Sequence, residues 1–304
     1  MSVPRCGFAA LVGAPNAGKS TLLNRLTGAK VAIVSPKPQT TRFRVRGIVV
    51  RDDAQVLLVD TPGIFTPRRR LDRAMVAAAW SGATDADVAA LVVDARAGAT
   101  PPVRAIAARL AATGRPLWLV LNKIDLVPRP SLLPLAQDFA ALAPFAQTFM
   151  VSAATGDGVE TLLAALAAAM PEGPHLYPDD ELSDMPDRML AAEIVREQVF
   201  RQTHEEVPYG TTVETESWAE RDDGSVRIDA TIYVARAGQK AILIGEAGAR
   251  IRTIGARARA ELAGLLERRV HLFLNVRERP GWDEEAARLR ALGLEDEAGG
   301  HGAA

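Results

Sequence analysis

The first 170 residues alternate short apolar runs with stretches of helical character. Several runs are apolar at nearly every position, which is typical of strands buried on both faces of a parallel sheet. Alanine-rich stretches near residues 101–112 and 158–170 are predicted helices. The alternation predicts an α/β domain with a doubly wound, mostly parallel sheet over residues 1–172. The predicted strands are "FAALVG", "VRGIVV", "QVLLVD", "VAALVVDA", "PLWLVLNK" and "TFMVS".

The pattern changes after residues 173–187, a proline-rich and acidic stretch that we interpret as a linker. A helix candidate, "RMLAAEIVREQVFRQT", comes first, and alternating strands follow in "SVRIDATIYVA" and "RVHLFLNV". Between them lies "AILI", which is compatible with a strand or a helix, and then a long helix. The order helix–strand–strand–helix–loop–helix–strand predicts a smaller α+β domain over residues 188–282. Residues 283–304 are acidic and then rich in Gly and Ala, and we predict a disordered tail.

Composition narrows the functional classes. The single cysteine, Cys6, excludes a disulfide framework and a four-cysteine metal site. No stretch approaches the roughly 18 apolar residues of a membrane span, and because the first residues lack a long apolar core we expect no signal peptide. We therefore expect a cytoplasmic protein. The net charge of −1 means that nucleic-acid binding would need a local basic patch.

The stretch "GAPNAGKS" fits the phosphate-binding pattern G-x-x-x-x-G-K-[ST], between a strand and a helix. Glycines let the backbone curl so that N–H groups point at phosphate oxygens. We expect Lys19 to neutralise the β- and γ-phosphates and Ser20 to bind Mg²⁺. The predicted nucleotide contacts in this loop are Gly13, Ala14, Pro15, Asn16, Ala17, Gly18, Lys19, Ser20 and Thr21.

Three further boxes follow the carboxyl ends of predicted strands, where α/β proteins bind ligands. In "DTPG", Asp60 can reach Mg²⁺ through a water, and the N–H of Gly63 can meet the γ-phosphate. In "NKID", Asn122 and Asp125 match the hydrogen-bonding pattern of guanine, which favours GTP over ATP. The backbone of "SAATG" can support the guanine oxygen at Ala153. The predicted GTP contacts here are Asp60, Thr61, Pro62, Gly63, Asn122, Lys123, Asp125, Ser152 and Ala153.

Together these boxes resemble translation-factor-type GTPases, and "PQTTR" at residues 38–42 resembles the first switch of their Era-like branch. The resemblance implies GTP and GDP as ligands and Mg²⁺ as cofactor. It also implies that Thr41, or alternatively Thr40, closes on the metal when GTP is bound. The implied metal set is then Ser20, Thr41 and Asp60. The implied catalytic set is Lys19, Thr41, Gly63 and Asn16.

Two positions bear on the rate of hydrolysis. Many small GTPases have a water-orienting glutamine after the "DxxG" box, but this chain has Ile64. An apolar side chain cannot orient the attacking water, so we expect slow intrinsic turnover. Asn16 stands where Era-like proteins often use asparagine to help coordinate K⁺, which is therefore a candidate second cation. The arginines in "TPRRRLDRAM" form either a solvated loop or a nucleotide-dependent contact with RNA or another domain.

A second glycine loop joins "AILI" to "ARIRTIGARARAELAGLL". No Lys-[ST] follows Gly248, so it is not another nucleotide loop, and no dinucleotide-binding unit surrounds it. It resembles the GXXG loop of K-homology (KH) domains, which clamps the backbone of single-stranded nucleic acid. Residues 236–279 hold ten Lys and Arg against four Glu, which supports a local RNA site. The implied RNA contacts are Ile244, Gly245, Glu246, Ala247, Gly248, Arg250, Ile251 and Arg252.

Glu246 departs from this resemblance, because relatives usually have basic or neutral residues between the two glycines.

The arrangement of a GTPase domain followed by a KH domain resembles the Era-like family, whose KH domain is of type II. This implies binding of small-subunit ribosomal RNA near its 3′ end and assistance in 30S assembly. The sequence is also compatible with two alternatives. One is an RNA-binding module with a non-hydrolysing GTPase platform, and the other is a signalling GTPase peripherally associated with the cell membrane.

Overall fold

The computed structural model describes residues 3–294, which form two compact units. The first unit contains a six-stranded sheet in the order β2-β3-β1-β4-β5-β6, in which only the β2–β3 pairing is antiparallel. All six predicted strands are present, so the predicted α/β class is confirmed. The elements are β1 (Arg5–Val12), α1 (Lys19–Thr27), β2 (Val45–Arg51), β3 (Ala54–Asp60), α2 (Arg70–Asp85), β4 (Val88–Asp94), α3 (Pro101–Ala111), β5 (Leu117–Asn122), α4 (Leu132–Ala140), β6 (Gln147–Met150) and α5 (Val159–Ala169).

Continuous apolar sequence produces strands that are covered on both faces. Every residue of β3 is buried, and so is every residue of β5. Side chains of α2, α3 and α4 share one apolar cluster with the central strands, while α1 and α5 pack together against β3. This burial fixes the strand positions, so that the loops at their carboxyl ends form one rigid edge.

The predicted linker belongs largely to the first unit, which extends through residue 184. The side-chain oxygen of Gln55 accepts hydrogen bonds from the N–H groups of Leu176 at 2.8 Å and Tyr177 at 3.1 Å. The N–H of Ile48 donates to the carbonyl of Leu182 at 2.9 Å, along the edge strand β2. These bonds hold part of the predicted linker along β2 and β3 of the first unit.

The second unit comprises residues 33–40 and 185–288. Its sheet has the order β7-β8-β9, with β7 antiparallel and β9 parallel to β8. The predicted order of elements is confirmed. The run "AILI", which was compatible with a strand or a helix, forms the carboxyl end of the helix α7. The elements are α6 (Asp187–Gln202), β7 (Thr211–Glu220), β8 (Val226–Val234), α7 (Ala237–Ile244), α8 (Ala249–Leu265) and β9 (Val270–Glu278).

The chain continues past β9 with more structure than its composition predicts. A short 3₁₀ turn at Trp282–Glu284 precedes a helix, α9 (Ala286–Ala291). Leu289 and Leu294 are both 1% exposed, so the disordered tail predicted from residue 283 is wrong as far as residue 294. The rest of that tail, residues 295–304, lies outside the described residues. Within residues 3–294, no helix has the length and apolarity needed to cross a membrane.

Candidate nucleotide site and RNA-binding loop

The first glycine loop follows β1 and ends at the first turn of α1. A Cβ on Gly13 would lie 2.3 Å from the carbonyl oxygen of Val92, and a Cβ on Gly18 would lie 2.4 Å from Nδ2 of Asn122. Both glycines, and Asn16 between them, have positive φ angles. Side chains at Gly13 and Gly18 would collide with fixed neighbours, so these positions need glycine for both conformation and space. The loop therefore has the tight curl that phosphate binding needs.

Lys19 lies inside this loop with only 6% of its surface exposed. Its ammonium group donates to the carbonyl of Gly13 at 3.2 Å and to that of Ala14 at 3.1 Å. Burial lowers the pKa of Lys19 to about 8, although the nearby Asp60 carboxylate opposes the shift. A buried cation held by two carbonyls is positioned for an anionic ligand, as the sequence predicts for a phosphate-binding lysine.

Three oxygen-bearing side chains meet beside Lys19. The Ser20 hydroxyl donates to Oδ2 of Asp60 at 2.6 Å, and Thr41 Oγ1 lies 2.8 Å from Ser20 Oγ and 3.1 Å from the same carboxylate oxygen. Asp60 is fully buried, burial raises its pKa, and its Oδ1 has no partner in the described part of the chain. Hard oxygen donors around a buried carboxylate fit Mg²⁺. The structure brings together the predicted metal set, with Thr41 rather than Thr40 in it.

The "DTPG" loop packs directly on the first glycine loop. The Thr61 hydroxyl donates to the carbonyl of Leu11 at 2.8 Å, and the N–H of Ile64 donates to the carbonyl of Gly13 at 3.0 Å. A Cβ on Gly63 would lie 2.9 Å from the backbone of Pro15. The close approach requires glycine and brings the Gly63 backbone beside the phosphate loop.

The guanine box is tied together by the Asn122 side chain, which is 1% exposed. Its Nδ2 donates to the carbonyl of Ala17 at 3.0 Å, while its Oδ1 accepts from the N–H of Lys123 at 2.8 Å and of Ala153 at 3.0 Å. Asn122 therefore links three loops, in addition to the base contact that the sequence predicts. Asp125 is exposed, and one of its oxygens accepts from the buried Ser152 hydroxyl at 2.6 Å. The direct base contacts of Asn122, Asp125 and Ala153 stay predictions.

Two supporting residues are missing from the sequence-based site. Asp94, the last residue of β4, pairs with the Lys123 ammonium at 2.7 Å, and that ammonium also donates to the carbonyl of Asn16 at 2.7 Å. Arg25 in α1 donates to the carbonyls of Ala153 and Ala154. The sequence could have indicated Asp94, because it is a carboxylate at the carboxyl end of an apolar strand. Nothing in the sequence indicates the role of Arg25, because only the fold brings α1 close to the loop of Ala153 and Ala154.

The residues singled out for their effect on turnover have distinct surroundings. Ile64 is 8% exposed and packs in the apolar cluster of the sheet, so it has no means of orienting water. In the arginine-rich stretch, Asp72 Oδ2 accepts from the N–H groups of Arg68 and Arg69, both at 3.1 Å. Asp72 and Arg69 also form an ion pair at 3.2 Å. Arg68 and Arg69 therefore help to begin the helix α2. Neither the solvated loop nor the nucleotide-dependent contact proposed from the sequence includes this structural role.

The second glycine loop connects α7 and α8 in the other unit. Gly245, Ala247 and Gly248 have φ angles of 70°, 45° and 78°. A Cβ on Gly245 would lie 2.9 Å from Cβ of Arg250, so this glycine is also required by space. The loop opens the 17-residue helix α8, whose N-terminus carries partial positive charge. The arrangement has the backbone exposure and the helix end that a phosphate clamp needs.

Arginine side chains hold this loop from the side of α8. Arg250 Nη1 donates to the carbonyl of Ile242 at 2.5 Å, and Arg252 Nη1 donates to the carbonyl of Ala247 at 2.7 Å. Ile251 is half-buried against the apolar core of the unit. Glu246 is exposed at the tip of the loop, where a phosphate would approach. The structure thus gathers the predicted RNA set around the loop and leaves its acidic member open to solvent.

The first unit has the strand, phosphate loop, helix and guanine box of a P-loop GTPase, and the second has the GXXG turn and sheet order of a KH domain. Two family models match accordingly: one described as "50S ribosome-binding GTPase" over residues 8–123, and one described as "KH domain" over residues 206–282.

Whole-chain comparisons agree with this class. The chain is 58% identical to GTPase Era of Afipia carboxidovorans, covering 96% of this chain and 94% of that protein. It is 51% identical to GTPase Era of Caulobacter vibrioides, covering 97% and 98%. The crystal structure of a point variant of Aquifex aeolicus Era bound to GDP·AlF₄⁻ is 38% identical with a TM-score of 0.91, covering 95% of this chain and 99% of that chain. The chain belongs to the Era family of GTPases.

Proposed function

We propose that this GTPase is a switch that binds small-subunit ribosomal RNA near its 3′ end and assists assembly of the 30S subunit. One observation supports the proposal: in a single chain, Ser20 and Asp60 meet beside the first glycine loop, and a GXXG turn opens the helix α8. A solved relative supports it further. The crystal structure of Era with MgGDPNP and nucleotides 1506–1542 of 16S ribosomal RNA is 38% identical, has a TM-score of 0.91 and covers 95% of this chain and 99% of that one.

For GTP hydrolysis, the chain's own groups bind and orient the phosphates. Lys19 lies beneath the phosphate loop and supplies positive charge to the β- and γ-phosphates. Ser20, Thr41 and Asp60 would hold Mg²⁺, which neutralises charge that develops on the phosphates when it is bound. Backbone groups near Gly63 take the place of a water-orienting side chain, because Ile64 is apolar and buried. Turnover is accordingly slow unless a partner adds a catalytic group.

K⁺ is the second cation in this proposal. The Asn16 backbone has a φ of 63°, and its carbonyl accepts from Lys123, so the phosphate loop holds Asn16 in a fixed conformation. A monovalent cation beside the phosphates would supply the charge that an arginine finger supplies in other GTPases. Single-turnover hydrolysis should then be several-fold faster in K⁺ than in Na⁺ of equal ionic strength, and Asn16→Ala should remove most of that difference.

For RNA, the GXXG loop would clamp the backbone of a single strand while the arginines of α8 add charge. Glu246 works against this charge, so we expect binding to depend on Arg250 and Arg252. The ligand is the RNA 3′ end rather than a lipid surface. Peripheral membrane association, with anionic lipid on the arginine-rich helix, is the weaker candidate, and sedimentation with phosphatidylglycerol vesicles in competition with RNA distinguishes the two.

The proposal is tested by single-turnover GTP hydrolysis with and without an RNA that matches the small-subunit 3′ end. We expect Mg²⁺-dependent hydrolysis that the matching RNA changes and a shuffled RNA of equal length does not. No Mg²⁺-dependent turnover would instead mean that the first unit is a platform. An equal response to both RNAs would mean that the second unit does not read this sequence.

A further inference from the structure

The helix α1 connects the phosphate loop to the loop that carries Ala153. It begins with the predicted phosphate and metal contacts Lys19 and Ser20, and Arg25 lies in its last turn. Nε of Arg25 donates to the carbonyl of Ala153 at 3.0 Å, and Nη2 donates to the carbonyl of Ala154 at 2.6 Å. Because both bonds come from one planar guanidinium, they fix the direction of two consecutive carbonyls. A single side chain of α1 therefore holds the backbone of this loop.

A chain of hydrogen bonds continues from this loop to Asp125. The carbonyl of Ala154 and the N–H of Thr155 belong to one planar peptide, so the bond to Arg25 also sets the direction of that N–H. The N–H of Thr155 donates to Oγ of Ser152 at 3.1 Å, and the Ser152 hydroxyl donates to Oδ1 of Asp125 at 2.6 Å. Ser152 is fully buried, and its hydroxyl has one proton, which goes to Asp125. The position of this carboxylate therefore depends on Arg25 through the loop.

Ala153 is fixed on both sides of its α-carbon. Its N–H donates to Oδ1 of Asn122 at 3.0 Å, and its carbonyl accepts from Arg25. Ala153 is 3% exposed, so its peptide groups have little water to replace a lost bond. Asn122, Asp125 and Ala153 are the predicted base contacts. Arg25 thus supports two of them, Ala153 directly and Asp125 through Ser152.

Hydrogen bonds read a base only when their donors and acceptors are held at fixed positions. We propose that Arg25 is a positioning residue for guanine specificity, which holds the Ala153 loop and the Asp125 carboxylate where they meet the base. The inference rests on the proposed function, since it requires that this site binds GTP and GDP. It gives α1 two roles, because the helix presents Lys19 to the phosphates at one end and fixes the base loop at the other.

Two variants of the full chain test this role. Arg25→Met removes the guanidinium and keeps an unbranched apolar stem, whereas Arg25→Lys keeps the charge but has a single ammonium in place of the planar fork. Arg5→Met is the matched control, because Arg5 also donates to a distant carbonyl, that of Ala168 at 2.8 Å. Arg5 begins β1, at the edge of the sheet opposite the nucleotide loops. Loss of a long-range arginine bond is thus compared at both edges of the same sheet.

Four ligands separate the base contacts from the phosphate contacts. IDP lacks the exocyclic amine from which Asp125 is predicted to accept, and 6-thio-GDP replaces the guanine oxygen near Ala153 with sulfur, a weaker acceptor. Pyrophosphate has no base, and GDP is the reference. Their affinities are measured with Mg²⁺ by displacement of a fluorescent GDP. Each base contact is then reported by the ratio of the GDP affinity to that of the analogue.

We expect Arg25→Met to bind GDP about 10- to 100-fold more weakly, because two charge-assisted hydrogen bonds to the loop are lost. The preference for GDP over IDP and over 6-thio-GDP should fall by about fivefold or more, whereas pyrophosphate affinity should stay within about twofold. Arg25→Lys should be intermediate, and Arg5→Met should match the parent protein.

Unchanged preferences in Arg25→Met would overturn the inference, and so would an equal loss of affinity for all four ligands, which indicates a general loss of structure. Should Arg25→Met not fold, parent-like preferences in Arg25→Lys would overturn it too. A parent protein that binds GDP and IDP equally would contradict it directly. These titrations require neither hydrolysis nor RNA. Absence of Mg²⁺-dependent turnover or of RNA binding in the parent protein would instead refute the proposed function.

Discussion

The two glycine loops of this chain open helices in the same way but have different surroundings. The first encloses a buried lysine, and its Gly13 would collide with backbone atoms if it carried a Cβ. The second is exposed, and its Gly248 has only the end of the Arg252 side chain nearby, at 3.0 Å. The comparison teaches that the same glycine turn can form either a closed loop around a buried lysine or a loop open to solvent, depending on the residues that follow it.

Gly13→Ala should have the largest effect. At a φ of 155°, the new Cβ would lie 2.3 Å from the Val92 carbonyl, so the loop must move. We expect GDP affinity to fall by more than about 100-fold and stability by about 3 kcal/mol, as measured by fluorescent-nucleotide titration and thermal unfolding. Gly28→Ala is the control, because Gly28 also has a positive φ but a Cβ added there would meet no atom within 4 Å. Equal nucleotide affinity in both variants would contradict the account.

Gly248→Asp should have the next largest effect, and that effect should be confined to the second loop. Its carboxylate would lie beside Arg252 and would repel phosphates that approach the helix end. We expect single-stranded RNA affinity to fall by about 30- to 100-fold, the loss of about 2–3 kcal/mol, with GDP affinity unchanged. Gly264→Asp makes the same charge change at an exposed position near the end of α8, where an added Cβ meets no atom within 4 Å. An equal loss in Gly264→Asp would indicate net charge rather than the clamp.

The buried Lys19 in the first glycine loop predicts that nucleotide binding is coupled to proton uptake. The exposed second loop has no such buried amine, so RNA binding should not be coupled to proton uptake there. Burial lowers the Lys19 pKa to about 8, so at pH 9 the amine of the nucleotide-free protein is mostly neutral. A bound phosphate raises that pKa, and GDP binding should then take up nearly one proton at pH 9 and far less at pH 6.5. Calorimetry in buffers of different ionisation enthalpy measures the uptake, which should be absent from RNA binding. No proton uptake at either pH value would show that Lys19 is charged throughout.

Glu246→Gln should have the smallest effect, in the opposite direction. Removing an exposed carboxylate from the tip of the second loop should tighten RNA binding by about two- to fivefold at low salt, and less at about 0.5 M salt, where screening is stronger. Glu206→Gln is a matched exposed control outside the loop. Weaker binding in Glu246→Gln would mean that this carboxylate contacts the RNA as an acceptor.

The residues predicted for the metal site lie together in the structure, and most of them belong to short local motifs. Lys19, Ser20 and Asp60 lie where the boxes predict them, since each box follows a strand that burial fixes in place. Residues that act from distant elements carry no such signal. Arg25 supports the Ala153 loop across 128 positions. Composition misled in one place, since Leu289 is buried within the tail that was predicted to be disordered.

The central claim is that the two glycine loops act as one switch, and affinity for RNA in the two nucleotide states tests it most directly. A short single strand that matches the small-subunit 3′ end would be titrated with protein loaded with a non-hydrolysable GTP analogue or with GDP. By linkage, RNA that favours the GTP form must also tighten the binding of the analogue by the same factor. The account predicts tighter RNA binding in the analogue form, lost in Gly248→Asp. Equal affinity in both nucleotide states would contradict it.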